Sequence, residues 1–440
     1  MLQAIKSTIE KLDSLSKSKS IKVISHFDTD GITSAAIFSR ALERWNKKFS
    51  VQIVKSLEDE FISSLPEDQI LIFLDLASNS LKALEKKKTE VFIFDHHEIS
   101  SKDIPANITL VNPLLFNHEA ISAAGVCYLF AKSISAENSD LASLAVIGMV
   151  GDSLEKNIGR TYDEILKDSN VVIKKGLLIY PATRPLDKAL EYSSSIYIPG
   201  VTGSYKGALA LLKDANISKI NEHYKSLFEL TEEEMSRLVT MIMLRLVGRK
   251  YASEIIGNLY LVKIFNKLED AREFSALINA CSRMDSPSVA LGFCLGNKKF
   301  IEEAERIYIE YRQHLSSALR YISEAEKIAG ANYAIINAKD KIKDTIIGTV
   351  ASIISYSPVY NEGTIIVALA YNQNKIKVSA RIAGKEGRNV REILAKAVVP
   401  LGINEIGGHK NAAGCLVSRD KEEQFIQNLQ KVLEIETIKI

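Results

Sequence analysis

The sequence predicts an α/β protein with three parts: an N-terminal parallel-sheet domain carrying a helical insertion, a long connector helix, and a smaller C-terminal α/β domain. Three observations predict it. Short β-branched and aromatic runs, IKVIS, VQIV, ILIFL and VFIF, alternate with amphipathic stretches between Ile21 and Phe94, which is the βαβ pattern of a parallel sheet. The charged stretch from Phe300 to Ile328 spaces Ala304, Ile307, Ile309, Leu315, Leu319 and Ile322 as one long, partly exposed helix does. After Gly330 period-two runs return in NYAIINA, TIIVALA and KIKVSARI, with helices between and a last helix from about Lys421 to Leu433.

In chain order, IKVIS leads into SHFDTDG and a helix from Ile32 to Trp45. VQIV precedes a charged loop. ILIFL leads into LDLA and a helix from Leu81 to Lys87, and VFIF leads into DHHE. The apolar run LASLAVIGMVG ends at Asp152. From about Asn157 to Lys250 the pattern is mostly helical and carries no assignable chemistry. A strand GNLYLVKI and a helical segment containing LINACSRMDSP follow. The expected boundaries are 1–298 for the first domain, with its insertion at about 157–260, then 299–329 for the connector and 330–440 for the last domain.

Composition narrows the function classes. The chain has 440 residues, enough for two or three domains at roughly 150 residues each. A net charge of +2, with 25% charged and 46% hydrophobic residues, indicates neither disorder nor a polybasic nucleic-acid coat. The apolar run Leu141 to Val150 is far too short for a membrane span, and the N-terminus lacks the apolar core of a secretory signal, so cytoplasmic residence is expected. Cys127, Cys281, Cys294 and Cys415 are widely scattered, as reduced, buried thiols are.

Ligands of a parallel sheet gather at the carboxyl ends of its strands, and carboxylates recur there. Asp28 and Asp30 follow the first strand, Asp75 the third, and Asp95 the fourth, with His96 and His97 behind it; Asp152 closes the later apolar run. If they converge, like charges about 4 Å apart repel by about 4 kcal/mol even at an effective dielectric near 20. Two divalent cations offset this most simply, and oxygen ligands with imidazoles suit Mn²⁺, or Mg²⁺. A calcium-sensing loop beginning at Asp28 needs Gly and Glu where Thr33 and Ser39 stand. In the C-terminal domain EIGGHKNAAGC sets Gly407 and Gly408 beside His409, so that backbone N–H groups can approach an anion. Along KVSAR, Lys377, Ser379 and Arg381 share one strand face, fit for a phosphate, while the reverse face builds the core. Lys385, Arg388 and Arg391 extend that basic character.

SHFDTDG, LDLA, DHHE and GMVGDS, in this order, resemble the four motifs of the DHH phosphoesterase superfamily. The resemblance implies a two-metal centre in which Asp28 and Asp30 bind separate metals, Asp75 bridges them, and His96 and Asp152 complete one sphere. It implies that His97 meets the scissile phosphate and that Asp95 orients the imidazoles. His26 stays open between a ligand and a hydrogen-bonded loop histidine. The GGH loop resembles that of the DHHA1 domain. LINACSRMDSP resembles the NA-x-GR element of RecJ-type nucleases, which implies a phosphate contact for Arg283, although Ser282 stands in place of the glycine.

Over nearly the whole chain the arrangement resembles RecJ and especially the archaeal RecJ-like exonucleases. That implies metal-dependent degradation of single-stranded DNA or RNA from an end by an activated water, in replication or repair, alongside a GINS complex or helicase. Two alternatives stay open: a phosphodiesterase for short oligonucleotides or cyclic dinucleotides, and a replication-helicase scaffold. The long span from Ser153 to Asn279 favours the exonuclease over the first, and the intact carboxylates oppose the second.

Overall fold

The structure, a computed structural model, describes residues 1–435 except 100, 102, 157, 180, 194–197, 248–254, 266, 358, 385 and 404. Its first sheet consists of β1 (Ile21–His26), β2 (Phe49–Val54), β3 (Ile70–Leu74), β4 (Val91–Phe94) and β5 (Ile108–Val111), in the spatial order β2-β1-β3-β4-β5. All its pairings are parallel. β3 and β4 are buried at every residue, which is why their sequences run apolar without alternation: both faces are covered. Val23, Ile72 and Phe92 point to one face, where the helices Thr29–Arg44, Ala123–Ile134 and Ala142–Gly151 pack. Ile24, Phe73 and Ile93 point to the other, against Ile62, Leu65, Leu81 and Leu84.

Register positions the site. His26 lies opposite Val54, Ser25 opposite Leu74, Leu74 opposite Phe94, and Phe94 opposite Val111. The strands therefore end almost level, and the residues just beyond them, Asp28, Asp75, Asp95 and Asn112, emerge along one edge.

Between these elements and the long helix, β6 (Val171–Leu177) pairs antiparallel with β9 (Ile256–Ile264), which pairs with β10 (Lys267–Asp270). A small ladder joins β7 (Lys219–Ile220) to β8 (His223–Tyr224). The helices Leu186–Glu191, Tyr205–Asp214 and Glu232–Arg245 close a separate core around Leu190, Leu211, Leu238 and Leu261. This region is less helical than its pattern predicts. β6 exposes Val172 and Ile173 at consecutive positions, which breaks strand alternation, and finds its partner far along the chain in β9.

The long helix runs Lys298–Glu324, ending sooner than its periodicity suggests because β11 (Ile328–Gly330) begins there. The chain divides into two compact units, 1–308 and 309–440, with the boundary inside this helix. The second unit is built on a six-stranded sheet that adds β12 (Tyr333–Asn337), β13 (Ile365–Asn372), β14 (Lys375–Ile382), β15 (Gly407–His409) and β16 (Ala412–Ser418), in the order β11-β12-β13-β14-β16-β15. Val367, Val378, Ala380 and Cys415 face the helices Val390–Val398 and Glu422–Ile435 through Leu394 and Leu429. The helix Asp344–Ser355 packs against β13 and β14. All four cysteines are buried thiols, and among the described residues no helix is long and apolar enough to cross a membrane.

Candidate metal centre

Each strand end delivers its carboxylate by a local device. Asp28 caps the helix Thr29–Arg44, accepting from Gly31 N–H at 3.1 Å, and Asp30 sits in the first turn. A Cβ on Gly31 would stand 2.3 Å from the His26 carbonyl oxygen, so only glycine lets the helix start this close to β1. Asp75 takes a left-handed conformation at φ 60 while its N–H still donates to Phe94 O at 2.9 Å. That backbone costs about 1–2 kcal/mol and swings the carboxylate off the strand axis. Asp152 ends the helix Ala142–Gly151. A Cβ on Gly148 would lie 2.5 Å from Asp30 Oδ1, and one on Gly151 2.8 Å from Thr29 Cβ, so the glycines of GMVG allow this helix to pass against the start of the Thr29 helix.

The side chains converge in two groups sharing Asp75. His26 Nδ1 lies 3.0 Å from Asp28 Oδ2 and 3.4 Å from Asp75 Oδ2. His96 Nε2 lies 3.0 Å from Asp152 Oδ2, 3.4 Å from Asp75 Oδ1 and 3.8 Å from Asp30 Oδ2. Asp28 and Asp30 thus fall in different groups, and the two oxygens of Asp75 face one group each. Of the predicted ligands, the structure brings together Asp28, Asp30, Asp75, His96, Asp152 and also His26.

Electrostatics and hydrogen bonding both leave this cluster incomplete as a purely protein structure. Burial, with repulsion from Asp152 and Asp75, holds the Asp30 carboxyl well above the usual range. Burial and Asp28 push Asp75 up to about 6. Burial opposes charge on His96, yet Asp152, Asp75 and Asp30 push it up to about 12, and His26 is raised in the same way by Asp28 and Asp75. Protons here do the work that cations can do. His26 Nδ1, both Asp75 oxygens, His96 Nε2 and Asp152 Oδ2 are buried without a hydrogen-bond partner although they stand near one another. Buried polar atoms are rarely left so. Ligand oxygens about 2.1 Å from an octahedral ion lie about 3 Å apart, the scale of the separations between these groups. Oxygen-rich donors with imidazole nitrogens fit divalent cations of the Mg²⁺ and Mn²⁺ type.

A second tier of contacts fixes the ligands. Asp30 accepts from the N–H groups of Ala123 at 2.6 Å and Ala124 at 3.0 Å, at the start of a helix capped by Ser122. Asp95 is fully buried and accepts from His97 Nδ1 at 2.7 Å, from His96 N–H at 2.8 Å and from Ser78 N–H at 3.0 Å. Its carboxyl is held well below the usual range because these bonds, His97's foremost, outweigh burial. His97 itself is half exposed and its pKa is raised, chiefly by Asp95. Asn112, buried at the end of β5, donates to His97 O at 2.9 Å. Sequence reasoning missed Asn112 and the Ala123 and Ala124 amides; the S-A-A-G cap signature before an apolar run was the available cue for the latter.

Other predicted residues lie elsewhere in the fold. Arg283 ends the helix Ala271–Arg283, which Thr29 engages by donating from Oγ1 to Ser275 O at 3.0 Å. Two residues on, Asp285 pairs with Lys55 just past β2 at 2.7 Å, bringing this turn to the same sheet edge. In the second unit β15 pairs with β16, and Gly407, Gly408 and His409 are exposed. Gly408 has φ 103, and a Cβ there would stand 2.2 Å from Ala412 O. The face of β14 expected to await a phosphate is instead partly covered. Ser379 is buried, 3.2 Å from where a Cβ on Gly348 would stand, and Arg381 Nε donates to Ser352 Oγ at 2.9 Å, because the helix Asp344–Ser355 packs there. Lys377 remains half-buried on that face. Arg388 donates to Leu433 O at 2.9 Å, while Arg391 is exposed at the start of a helix and Lys385 lies outside the described residues.

Three stretches match known domain families: residues 20–149 the DHH family, N-terminal domain; 180–260 the DHH-CID domain; and 330–435 the DHHA1 domain. An uncharacterized protein of Methanocaldococcus jannaschii is 28% identical over 438 residues, 94% of this chain and 93% of its own. A prophage-derived protein of Bacillus subtilis, named for single-strand DNA-specific exonuclease activity, is 27% identical over 183 residues, 38% of this chain and 30% of its own. Among solved structures, RecJ in complex with Mn²⁺ from Thermus thermophilus matches with a TM-score of 0.61 at 18% identity, over 97% of this chain. This chain covers 54% of that one, about half its length. CDC45 from Entamoeba histolytica matches with a TM-score of 0.66 at 13% identity, over 98% of this chain and 99% of its own. At such identities the structural likenesses establish the fold.

Proposed function

Because the chain is a RecJ-like protein of the DHH/DHHA1 family, we propose that it is a divalent-metal-dependent exonuclease hydrolysing phosphodiester bonds of single-stranded DNA or RNA from an end. The carrying observation is the buried cluster around Asp75, in which both Asp75 oxygens, His26 Nδ1, His96 Nε2 and Asp152 Oδ2 stand near one another without hydrogen-bond partners. His26, Asp28 and Asp75 would hold one cation, and Asp30, Asp75, His96 and Asp152 a second, with Mn²⁺ the expected ion and Mg²⁺ its substitute. Such ions supply an activated water and charge stabilisation at phosphorus. The chain's residues do the rest. Asp95 fixes the ring of His97 through Nδ1, which leaves the other nitrogen to meet a phosphoryl oxygen, and the raised pKa favours the cationic form that binds it. Arg283, Lys377, Arg381 and the Gly407-Gly408-His409 loop are the proposed contacts to the flanking strand. Ser379, which is buried, is not among these contacts. Association with replication or repair proteins, a GINS complex or helicase, and a cytoplasmic setting that keeps the four thiols reduced, belong to the same reading.

The test offers end-blocked DNA and RNA strands, a dinucleotide and pyrophosphate with Mn²⁺ or Mg²⁺. Mononucleotide release sensitive to one blocked end is expected, with Asp75→Ala reducing turnover by more than about a hundredfold. Turnover retained in Asp75→Ala refutes the bridging role. Cleavage of the dinucleotide alone supports the short-oligonucleotide reading instead. Strand binding with no turnover supports the replication-helicase scaffold instead.

A further inference from the structure

The segment between β5 and the helix Ala123–Ile134 is tied to the candidate centre at both ends. At its start Asn112 donates from Nδ2 to His97 O at 2.9 Å and to Ser78 Oγ at 3.1 Å. At its end the amides of Ala123 and Ala124 hold Asp30. In between, Asn112 Oδ1 accepts from Leu114 N–H at 3.0 Å and opens a tight turn over Pro113–Phe116, which Asn117 closes in a left-handed conformation. This rigid turn turns its apolar side chains outward: Leu114 is 52% exposed, and Leu115 and Phe116 are 37% each. Three adjacent large apolar side chains left in water are uncommon on a folded surface and mark a surface that something covers.

The chemistry of the turn selects its occupant. From Pro113 to Asn117 there is no ionisable side chain, so the turn offers nothing to a phosphate, while an aromatic ring flanked by two leucines suits the face of a nucleobase. The same Asn112 that shapes the turn also grips the backbone of His97, which fixes the apolar surface relative to the residue proposed to meet the phosphoryl group. Resting on the nuclease reading above, we propose that Leu114, Leu115 and Phe116 form a platform on which the base adjoining the cleaved phosphodiester packs, with Phe116 as its stacking surface. Every base has a π face, so the platform grips the strand without reading its sequence.

The experiment compares wild type, Phe116→Ala and Leu114→Gln on strands whose end nucleotide, at either end, carries its base, lacks it, or carries 2-aminopurine. Turnover is followed in Mn²⁺ and binding in Ca²⁺. The altered residues are exposed, and circular dichroism verifies that both variants keep the fold. Wild type is expected to prefer a base-bearing end to an abasic one by about ten- to a hundredfold in kcat/KM, the range of a single base-stacking contact. That preference should collapse in Phe116→Ala and fall partly in Leu114→Gln, and the 2-aminopurine quenching seen on binding to wild type should be lost in Phe116→Ala. Equal treatment of base-bearing and abasic ends by wild type, or preference and quenching unchanged in Phe116→Ala, overturns the platform. So does a variant that alters only sedimentation, which makes the turn a protein interface. If no strand is cut at all, the nuclease reading fails on its own, and quenching still decides the platform.

Discussion

Asp75 shows how one residue can be costly to the fold and central to the candidate site. It adopts a left-handed backbone, is 2% exposed, and has a carboxyl pushed up to about 6 by burial and Asp28. Its folded pKa lies above the ordinary 3.8, so its favourable contribution is complete below pH about 4 and is lost as pH rises through 6. The metal-free protein therefore loses up to about 3 kcal/mol between those values, at 1.36 kcal/mol per pKa unit. Asp75→Asn removes the charge and keeps a residue that tolerates the left-handed region. Without metal this variant should melt a few degrees above wild type at pH 7.5, and with saturating Mn²⁺ the order should reverse; a scan of thermal midpoints with and without chelator checks both signs. A variant less stable than wild type in chelator contradicts the repulsion argument. Asp75 and Asp95 were legible because each follows an unbroken apolar run, and Asp28 and Asp30 because they follow the β-branched segment IKVIS. The support from Asn112 and the amides of Ala123 and Ala124 was not, because backbone donors leave little trace in residue identity.

At the scale of elements, the site depends on how closely helices approach. The Ala142–Gly151 helix carries Asp152 to the cluster only because Gly148 and Gly151 present no Cβ to the Thr29 helix. A Cβ on Gly148 would stand 2.5 Å from Ala124 Cβ and 2.5 Å from Asp30 Oδ1, and the two amides that hold Asp30 leave its carboxylate little freedom to retreat. Helix propensity alone favours Gly→Ala by about 1 kcal/mol. Overpacking costs about 1–3 kcal/mol, so Gly148→Ala should be destabilising on balance, and Mn²⁺ affinity should fall with it because Asp30 and Asp152 are pushed apart. Chemical denaturation and calorimetric titration test the two effects, and a more stable variant with unchanged Mn²⁺ affinity contradicts the account. The parallel sheet was legible from its runs, whereas β6 was not: its partner β9 lies far along the chain and its exposed Val172 and Ile173 break the period. Likewise periodicity marked residues 377, 379 and 381 as one face of β14 but could not show that the Gly348 helix partly covers that face.

For the whole molecule, charge sets how the proposed strand binding would respond to salt. The formal charge is +2 over 440 residues, and the candidate phosphate contacts are few: His97, Arg283, Lys377, Arg381 and His409. A protein that grips single strands through a broad basic track releases many counterions, and its affinity falls steeply as salt rises. With Arg381 discounted because it already bonds Ser352 Oγ, about four phosphates would be neutralised by side chains, which at about 0.7 per contact on a single strand gives a log–log slope on the order of −3. Between 50 and 200 mM salt, with the divalent ion held constant, affinity should therefore drop by roughly thirty- to a hundredfold, measured by fluorescence anisotropy on a labelled strand. A flat response removes phosphate contact as the basis of binding and leaves the apolar turn to carry it. A slope twice as steep demands cationic groups beyond those named, and Arg391 and Lys385 are then the first to neutralise.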